Sequence, residues 1–327
     1  MQRVRELSSL AQMNRRAAVA VTLGACGAPV AALWLRSLIK AADAERALAA
    51  SLCATDTGSA RAQRIGAERP AFLSFAGTRL FKEGFLDELG SAYASATGNR
   101  IAILGGGCDD GLVAVREKRA HIGGLCCPLE GGPASMLASI TVAKDLKVIV
   151  ANPGVPVASL SRHQLTSVLT GTARNWSAVG GADRPIALVL HDHCPDYVEP
   201  ARSMLLGDRL TWSKEALYVK TDQKHLDTVA RFETAVGVNS WILAEPYVRR
   251  GSLKLLAVDG ITPSIENASA GRYRLIGPMN MVFSSYEEGL MQPFFDYLFS
   301  DAGRKVVSRR LVPVRADYSR MRKRAVI

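Results

Sequence analysis

One unit recurs along this sequence: a short apolar strand, a loop of small or polar residues, and an amphipathic helix. It occurs at residues 71–97, 100–119 and 186–206. In the first copy, the apolar run Ala71–Phe75 leads into helical spacing from Leu80 to Ala96, which Gly98 ends. The chain has 327 residues, of which 48% are hydrophobic, so it can build one or two packed cores. Alternating strands and helices predict an α/β fold.

The loops of these units predict where a ligand would lie. In open α/β sheets, ligands bind outside the carboxyl ends of the strands, where helix N-termini offer free N–H groups. The predicted cleft is therefore formed by four loops, at residues 76–79, 105–109, 125–127 and 191–197.

Cysteines are concentrated in this predicted cleft. Cys26 and Cys53 precede the folded region, and the other four are Cys108, Cys126, Cys127 and Cys194. All four fall on three of the cleft loops. A single cysteine is more often a small core residue, but four cysteines on cleft loops favour a ligand site. An oxidising compartment would allow two disulfides, although the adjacent Cys126 and Cys127 should point to opposite faces of a strand.

The N-terminus has the pattern of an export signal. Arg15 and Arg16 precede the apolar segment Ala17–Leu35. We interpret residues 1–40 as a signal peptide or membrane anchor and residues 41–68 as a low-order spacer. Leu23–Cys26 resembles a lipoprotein processing box, which leaves cleavage, lipidation at Cys26 and retention all open. The predicted location is the periplasm, with membrane contact only through this N-terminal segment.

The net charge of +11 is located at the two ends of the chain. Residues 1–40 carry +5 and residues 304–327 carry +8, which leaves about −2 for the rest. A near-neutral middle does not indicate nucleic-acid binding, and residues 316–327 are interpreted as a solvated basic tail.

From Phe72 to Pro313, the chain resembles the phosphate-binding proteins of bacterial ABC transporters. The resemblance depends on the order and spacing of short pieces. These include Ala76-Gly77-Thr78, Gly105-Gly106-Gly107, Ala235-Val236-Gly237 and Asp259–Ser264. It implies a type II periplasmic binding protein fold, with two α/β lobes, a hinge and a ligand cleft between the lobes. Lobe 1 would comprise residues 69–150 and 259–315, and lobe 2 residues 151–258.

The ligand residues of that family are not retained. Where the family has a serine, an aspartate and an arginine, this chain has Cys108, Cys126 and His191. Loss of an arginine and hydroxyl groups disfavours a tetrahedral oxyanion. Thiols favour a soft centre such as trivalent arsenic, which is neutral as arsenous acid.

This combination resembles the periplasmic arsenite-sensing proteins encoded with arsenite oxidase. The resemblance implies that Cys108 captures As(III) and that the complex signals to a membrane sensor histidine kinase. Other predicted ligand contacts are Asp109, Thr78, Cys126, His193 and Cys194. Whether Cys126 and Cys194 touch the ligand is left open, as is As(III) against Sb(III).

Three alternatives remain. His191, His193, Cys194, Cys108 and Cys126 could hold a transition metal. The chain could instead be a phosphate or other oxyanion receptor. A thiol enzyme using Cys108 and His193 is disfavoured, because the sequence has no Cys-x-x-Cys motif and no nucleophile elbow. We therefore expect a binding protein without a cofactor and without catalytic activity.

Overall fold

The computed structural model describes residues 72–126, 129, 133–191, 200–207 and 209–317. All of these fall within the second of the chain's two units, which spans Asp56–Ile327. The predictions for the export segment, the spacer, the end of the basic tail, Cys127, His193 and Cys194 concern residues outside these ranges.

Eleven strands lie in the described ranges. They are β1 (Phe72–Thr78), β2 (Arg100–Gly106), β3 (Ile122–Leu125), β4 (Ala138–Ala151), β5 (Ser159–Leu160), β6 (Ala187–His191), β7 (Leu217–Val219), β8 (Ala235–Ser240), β9 (Lys254–Val258), β10 (Ile276–Phe283) and β11 (Val312–Pro313).

Helices follow most of the strands. They are α1 (Arg79–Phe81), α2 (Asp87–Thr97), α3 (Cys108–Arg116), α4 (Arg162–Leu169), α5 (Pro200–Leu206), α6 (Asp222–Arg231), α7 (Trp241–Arg249), α8 (Ile265–Ser269), α9 (Glu288–Phe299) and α10 (Asp301–Val307). A π-helical turn, Lys82–Leu86, joins α1 to α2. Single 3₁₀ turns occur at Pro133–Met136, Trp176–Val179 and Ser285–Glu287.

The long strand β4 connects two halves of the sheet. The strand order is β2-β1-β3-β10-β4-β8-β6-β7, with β11 and β9 also paired to β4 and β5 paired to β9. The amino-terminal part of β4 pairs with β10, and its carboxyl-terminal part pairs with β8 and β9. Strands β1, β2 and β3 are parallel to one another, as are β6, β7 and β8.

Two large hydrophobic clusters divide the fold into two lobes. The first lobe packs the side chains of β1, β3, α2 and α9 around Phe75, Phe81 and Phe294. The second packs β6, β8, α4 and α6 around Trp176. Along the chain, the clusters change over between Ala143 and Leu146, and again between Leu275 and Met279. The predicted lobe limits at residues 150 and 258 remain a prediction.

Several sequence predictions are confirmed at the level of elements. The fold is α/β, and the first helical run ends at Gly98 in the left-handed conformation. Serine is a preferred N-cap, so the sequence also predicts that Ser161 begins a helix through Leu169, and Ser161 does cap α4 through the N–H of Gln164. Aspartate is a preferred N-cap, so the sequence predicts that Asp222 caps a helix through Thr234, and both parts of this prediction are wrong. Thr221, not Asp222, caps α6, because its side chain accepts the N–H of Lys224. That helix also ends at Arg231 rather than at Thr234.

Two strands differ from the sequence predictions, one in its length and one because it was not predicted at all. The apolar sequence Lys147-Val148-Ile149-Val150 predicts the start of a new element, but the structure shows it as the final part of the 14-residue strand β4. Strand β10 was not predicted. Among the described helices, none combines the length and the apolar character that a membrane crossing requires.

Candidate ligand-binding site

Three predicted loops of the first lobe meet at one sheet edge. In the parallel pairing of β1 with β2, Thr78 lies opposite Gly106, and in the pairing of β1 with β3, Gly77 lies opposite Gly124. The carboxyl ends of these strands therefore share an edge. Thr78, Cys108 and Cys126 end or follow the three strands, so the fold brings them to the same side.

Cys108 is the first residue of α3, where Gly107 forms the N-cap. The N–H of Gly107 donates to Oδ2 of Asp110 at 2.7 Å, which holds the start of the helix. A helix N-terminus favours a thiolate, whereas the carboxylates of Asp109 and Asp110 in the first turn act against it.

Cys108 and Cys126 form a buried thiol pair. Their Sγ atoms are 3.6 Å apart, and the N–H of Cys126 donates to Sγ of Cys108 at 3.4 Å. Neither is in a disulfide, and only 3% and 8% of the two residues are exposed. The structure therefore brings together two of the six cysteines of the chain.

Glycines allow this close approach of helix and sheet. A Cβ on Gly111 would lie 2.7 Å from the carbonyl oxygen of Ala76 and 3.0 Å from Cα of Gly77. A Cβ on Gly77 would lie 2.5 Å from the backbone nitrogen of Gly124. Helix α3 thus rests directly on the backbone of β1 and β3, which holds Cys108 against Cys126.

A buried ion pair lies within electrostatic range of Cys126. Nζ of Lys147 donates to Oδ2 of Asp145 at 2.9 Å, and Oγ of Ser240 donates to Oδ1 of Asp145 at 2.8 Å. Burial raises the pKa of Asp145 although Lys147 counteracts it. Burial alone would lower the pKa of Lys147, but the Asp145 carboxylate, with a further contribution from Cys126, outweighs it, so that pKa is raised.

A network of hydrogen-bonded polar side chains extends from this ion pair into the second lobe. Nδ2 of Asn239, next to Ser240, donates to Nδ1 of His225 at 3.1 Å and to Oδ1 of Asp222 at 3.2 Å. Nε2 of His225 then donates to the carbonyl of Val189 at 3.1 Å, which assigns the proton to Nε2. With this arrangement the His225 imidazole is neutral, and it connects Asn239 in β8 to Val189 in β6.

His191, expected where the resembled family has an arginine, ends β6 at that edge. Its Nε2 atom is 2.8 Å from the carbonyl of Lys220, and its Nδ1 atom is 3.6 Å from Oδ1 of Asp222. His191 therefore belongs to the polar edge of the second lobe, beside Asp222.

The other predicted contacts differ in their surroundings. Thr78 is buried, and its Oγ1 atom accepts the N–H of Leu80 at 3.5 Å as the cap of α1. Asp109 is exposed on the first turn of α3. His193 and Cys194 lie outside the described residues. The described ranges contain no group of three or more His, Cys, Asp or Glu side chains that could hold a metal ion.

The sequence interpretation missed the buried Asp145–Lys147 pair. The available signal was two opposite charges, two positions apart, within the apolar strand Ala138–Ala151. Residues two apart in a strand share a face, so the pattern predicts a buried pair once the strand is recognised.

A separate cavity of about 330 Å³ lies among the π-helical turn, α2, α7 and the residues after α10. The eight charged side chains that line it pair with one another or with Arg79; Glu245, for example, accepts from Arg249 at 2.6 Å and from Arg310 at 2.7 Å. Because its charges are neutralised locally and neither thiol lines it, this cavity is not the candidate site.

Two lobes that share a crossing strand, each presenting polar groups at the carboxyl ends of its parallel strands, define a two-lobe periplasmic binding protein. The chain belongs to the PBP superfamily, since the model of the PBP superfamily domain matches residues 54–302.

Known proteins similar to this chain agree with that assignment. The phosphate-binding protein PstS of Bacillus subtilis (strain 168) is 27% identical over 221 residues, which cover 65% of this chain and 71% of that protein. Two solved structures share the fold. A putative phosphate ABC transporter substrate-binding protein from Clostridium perfringens, with bound phosphate, has a TM-score of 0.63 at 21% identity, covering 75% of this chain and 100% of that one. An ABC-type phosphate transport receptor from Vibrio cholerae has a TM-score of 0.57 at 23% identity, covering 74% and 100%.

Proposed function

We propose that this protein is an exported periplasmic receptor that captures arsenite, As(III), through Cys108. In this proposal it then signals to a membrane sensor histidine kinase that regulates arsenite oxidation. The observation that carries the proposal is the buried thiol pair, with Cys108 at the N-terminus of α3 and the Cys126 sulfur 3.6 Å away. Binding, rather than catalysis, is the expected activity.

The chemistry of the thiol pair suits a neutral, thiol-seeking ligand. Arsenous acid condenses with the Cys108 thiol, forming one As–S bond and releasing one water molecule. Condensation with Cys126 would form a second As–S bond and release a second water. Soft sulfur ligands favour such a centre over hard oxygen donors.

The charges near the thiols also support a neutral ligand. Lys147 is held by Asp145 at 2.9 Å and Arg79 by Glu83 at 2.6 Å. Each cation is thereby neutralised by a carboxylate, whereas an oxyanion receptor would direct its cations at the ligand. Asp109 and Asp110 beside Cys108 would further repel an anion.

The proposed signal is closure of the two lobes. Ligand must bind the closed arrangement better than the open one in order to shift the population between them. The second lobe would contribute Ser240, Asn239 and His191 to the closed site. The changed surface would then be recognised by the kinase.

Isothermal titration of the reduced full chain with arsenite tests the proposal. We expect one site in the wild type, a loss of at least tenfold in affinity in Cys108→Ala, and unchanged affinity in Cys127→Ala, the matched control. Equal binding by wild type and Cys108→Ala would remove Cys108 from the site.

An oxyanion receptor is the second candidate, favoured by the 27% identity to a phosphate-binding protein. Titration of the same preparations with phosphate separates the two. Phosphate binding that survives Cys108→Ala, together with no arsenite binding, would favour the oxyanion receptor.

A further inference from the structure

We propose that Cys108 and Cys126 form a reversible disulfide by exchange with a low-molecular-weight disulfide, and that this oxidised form cannot capture a thiol-seeking ligand. The first part stands on the thiol geometry alone. The second part rests on the proposed function.

The two sulfur atoms are already in contact. They are 3.6 Å apart in the reduced protein, whereas a disulfide bond is about 2.05 Å long. The sulfurs must therefore approach by about 1.5 Å to form the bond. Both residues lie at the ends of elements, Cys108 at the start of α3 and Cys126 just after β3.

The burial of the two cysteines and the charges near Cys126 bear on which thiol reacts first. Both residues are buried, and we take Cys126 to react first because 8% of that residue is exposed against 3% of Cys108. Cys126 lies within electrostatic range of both members of the buried Asp145–Lys147 pair. The thiolate is the nucleophile in exchange, and the opposite charges of this ion pair act on it in opposite directions.

The exchange takes place in two steps. The Cys126 thiolate attacks one sulfur of the small disulfide, forming a mixed disulfide and releasing one small thiolate. Cys108 then loses its proton and attacks the Cys126 sulfur, forming the protein disulfide and releasing the second small thiolate. The two protein sulfurs are oxidised, the small disulfide is reduced to two thiols, and the two protein protons end on those thiols.

The oxidised protein would have no free thiol at either of these positions. Neither sulfur could then condense with arsenous acid without prior reduction. The pair would thus act as a gate in an oxidising compartment, where capture depends on the redox state of the thiols as well as on ligand concentration.

Disulfide mapping tests the first part. The reduced full chain is incubated with oxidised glutathione, alkylated and digested with trypsin, which can cleave at Arg116 and Arg119 between the two cysteines. We expect a linked pair of peptides carrying Cys108 and Cys126, with a protein mass lower by two hydrogen atoms. The link should be lost in Cys126→Ala, retained in Cys127→Ala and reversed by a phosphine reductant.

Three results would overturn the disulfide. Cys108 and Cys126 could remain alkylatable, Cys108 could pair with Cys127 or Cys194, or a stable glutathione adduct could persist on either thiol. Far-UV circular dichroism establishes that the variants fold. If Cys126→Ala does not fold, the Cys127→Ala variant still decides the question, because Cys126 and Cys127 share one tryptic peptide and only Cys126 remains in that variant.

Arsenite titration of the reduced and oxidised wild type tests the gate. We expect at least a tenfold loss of affinity on oxidation and full recovery on reduction. Equal binding by both forms would refute the gate but not the proposed function. No binding by the reduced form would refute the proposed function, whereas the disulfide map would stand independently.

Discussion

At the scale of single residues, the candidate site depends on two pairs of side chains, the thiols of Cys108 and Cys126 and the ion pair of Asp145 and Lys147. The Sγ atom of Cys126 lies 3.6 Å from that of Cys108, and Lys147 is tolerated in the interior because Asp145 accepts a hydrogen bond from its Nζ at 2.9 Å. An isolated buried charge would cost several kcal/mol, so each member of the ion pair requires the other. The same dependence makes the pair a sensitive target for substitution.

We predict that Lys147→Met lowers the free energy of unfolding by about 3–5 kcal/mol, because it leaves the Asp145 carboxylate buried without its cation. The double variant Asp145→Asn, Lys147→Met should recover most of this loss, since it removes both charges. Urea denaturation followed by circular dichroism measures both values.

The pH dependence provides a control for this explanation. Burial raises the pKa of Asp145, so the unpaired carboxyl should take up a proton in mildly acidic solution. The deficit of Lys147→Met should therefore shrink as the pH falls. A deficit that is the same in the single and double variants would show that lost packing, not the unpaired charge, causes it.

At the scale of elements, the contact of α3 with the sheet decides the geometry of the site. The helix has no side chain at Gly111, and it packs on Gly77 and Gly124, which have none either. Backbone-to-backbone packing of this kind fixes the first turn of the helix more closely than interdigitated side chains would. The Cys108 sulfur is thereby directed at the end of β3.

We predict that Gly111→Ala destabilises the protein by about 1–3 kcal/mol, because the new methyl group would overlap the carbonyl of Ala76 and push the helix outward. Disulfide formation between Cys108 and Cys126 should slow in the same variant. Gly289→Ala is the matched control. Its Cβ meets nothing within 4 Å, and the substitution should be neutral or slightly stabilising. Thermal unfolding and thiol mapping of both variants test the prediction, which fails if they behave alike.

At the scale of the whole molecule, two chain segments cross from one lobe to the other, one at Lys147 and one at Tyr273–Leu275, and they lie next to each other. The N–H of Lys147 donates to the carbonyl of Leu275 at 2.8 Å, and the hydroxyl of Tyr273 donates to the carbonyl of Lys147 at 2.7 Å. Tyr273 is buried, and burial raises the pKa of its hydroxyl above the ordinary value. The Tyr273 hydroxyl therefore links the two crossing segments through this hydrogen bond only while it is protonated.

We predict that stability falls above the ordinary tyrosine pKa of about 10, by about 1.4 kcal/mol per pH unit from this group. In that range the unfolded chain loses the proton that the folded state retains. Tyr273→Phe should cost about 1 kcal/mol at neutral pH, through the lost hydrogen bond, and should show a shallower alkaline decline.

The stability curves of wild type and Tyr273→Phe should thus converge at alkaline pH. Tyr286→Phe, with a ring that is 98% exposed, serves as the control and should follow the wild type throughout. Parallel curves for wild type and Tyr273→Phe would show that the Tyr273 hydroxyl does not couple to stability in this range.

The sequence by itself determined the class of fold and the loops of the first lobe. Strand, loop and helix units have distinct periodicities, and caps such as Ser161 and stops such as Gly98 act over a few residues. Local patterns of this kind can be recognised without tertiary contacts. The placement of Cys108 at a helix start after a glycine loop followed from the same local signals.

Only the tertiary structure decided which of these residues meet. The pairing of Cys108 with Cys126, the burial of Asp145 against Lys147, and the continuity of β4 across both lobes depend on strand register. Register is set by contacts between residues far apart in the chain, such as Lys147 with Ser240. No local pattern in the sequence specifies such contacts, because many registers satisfy the same alternation of apolar and polar residues until the packed core selects one.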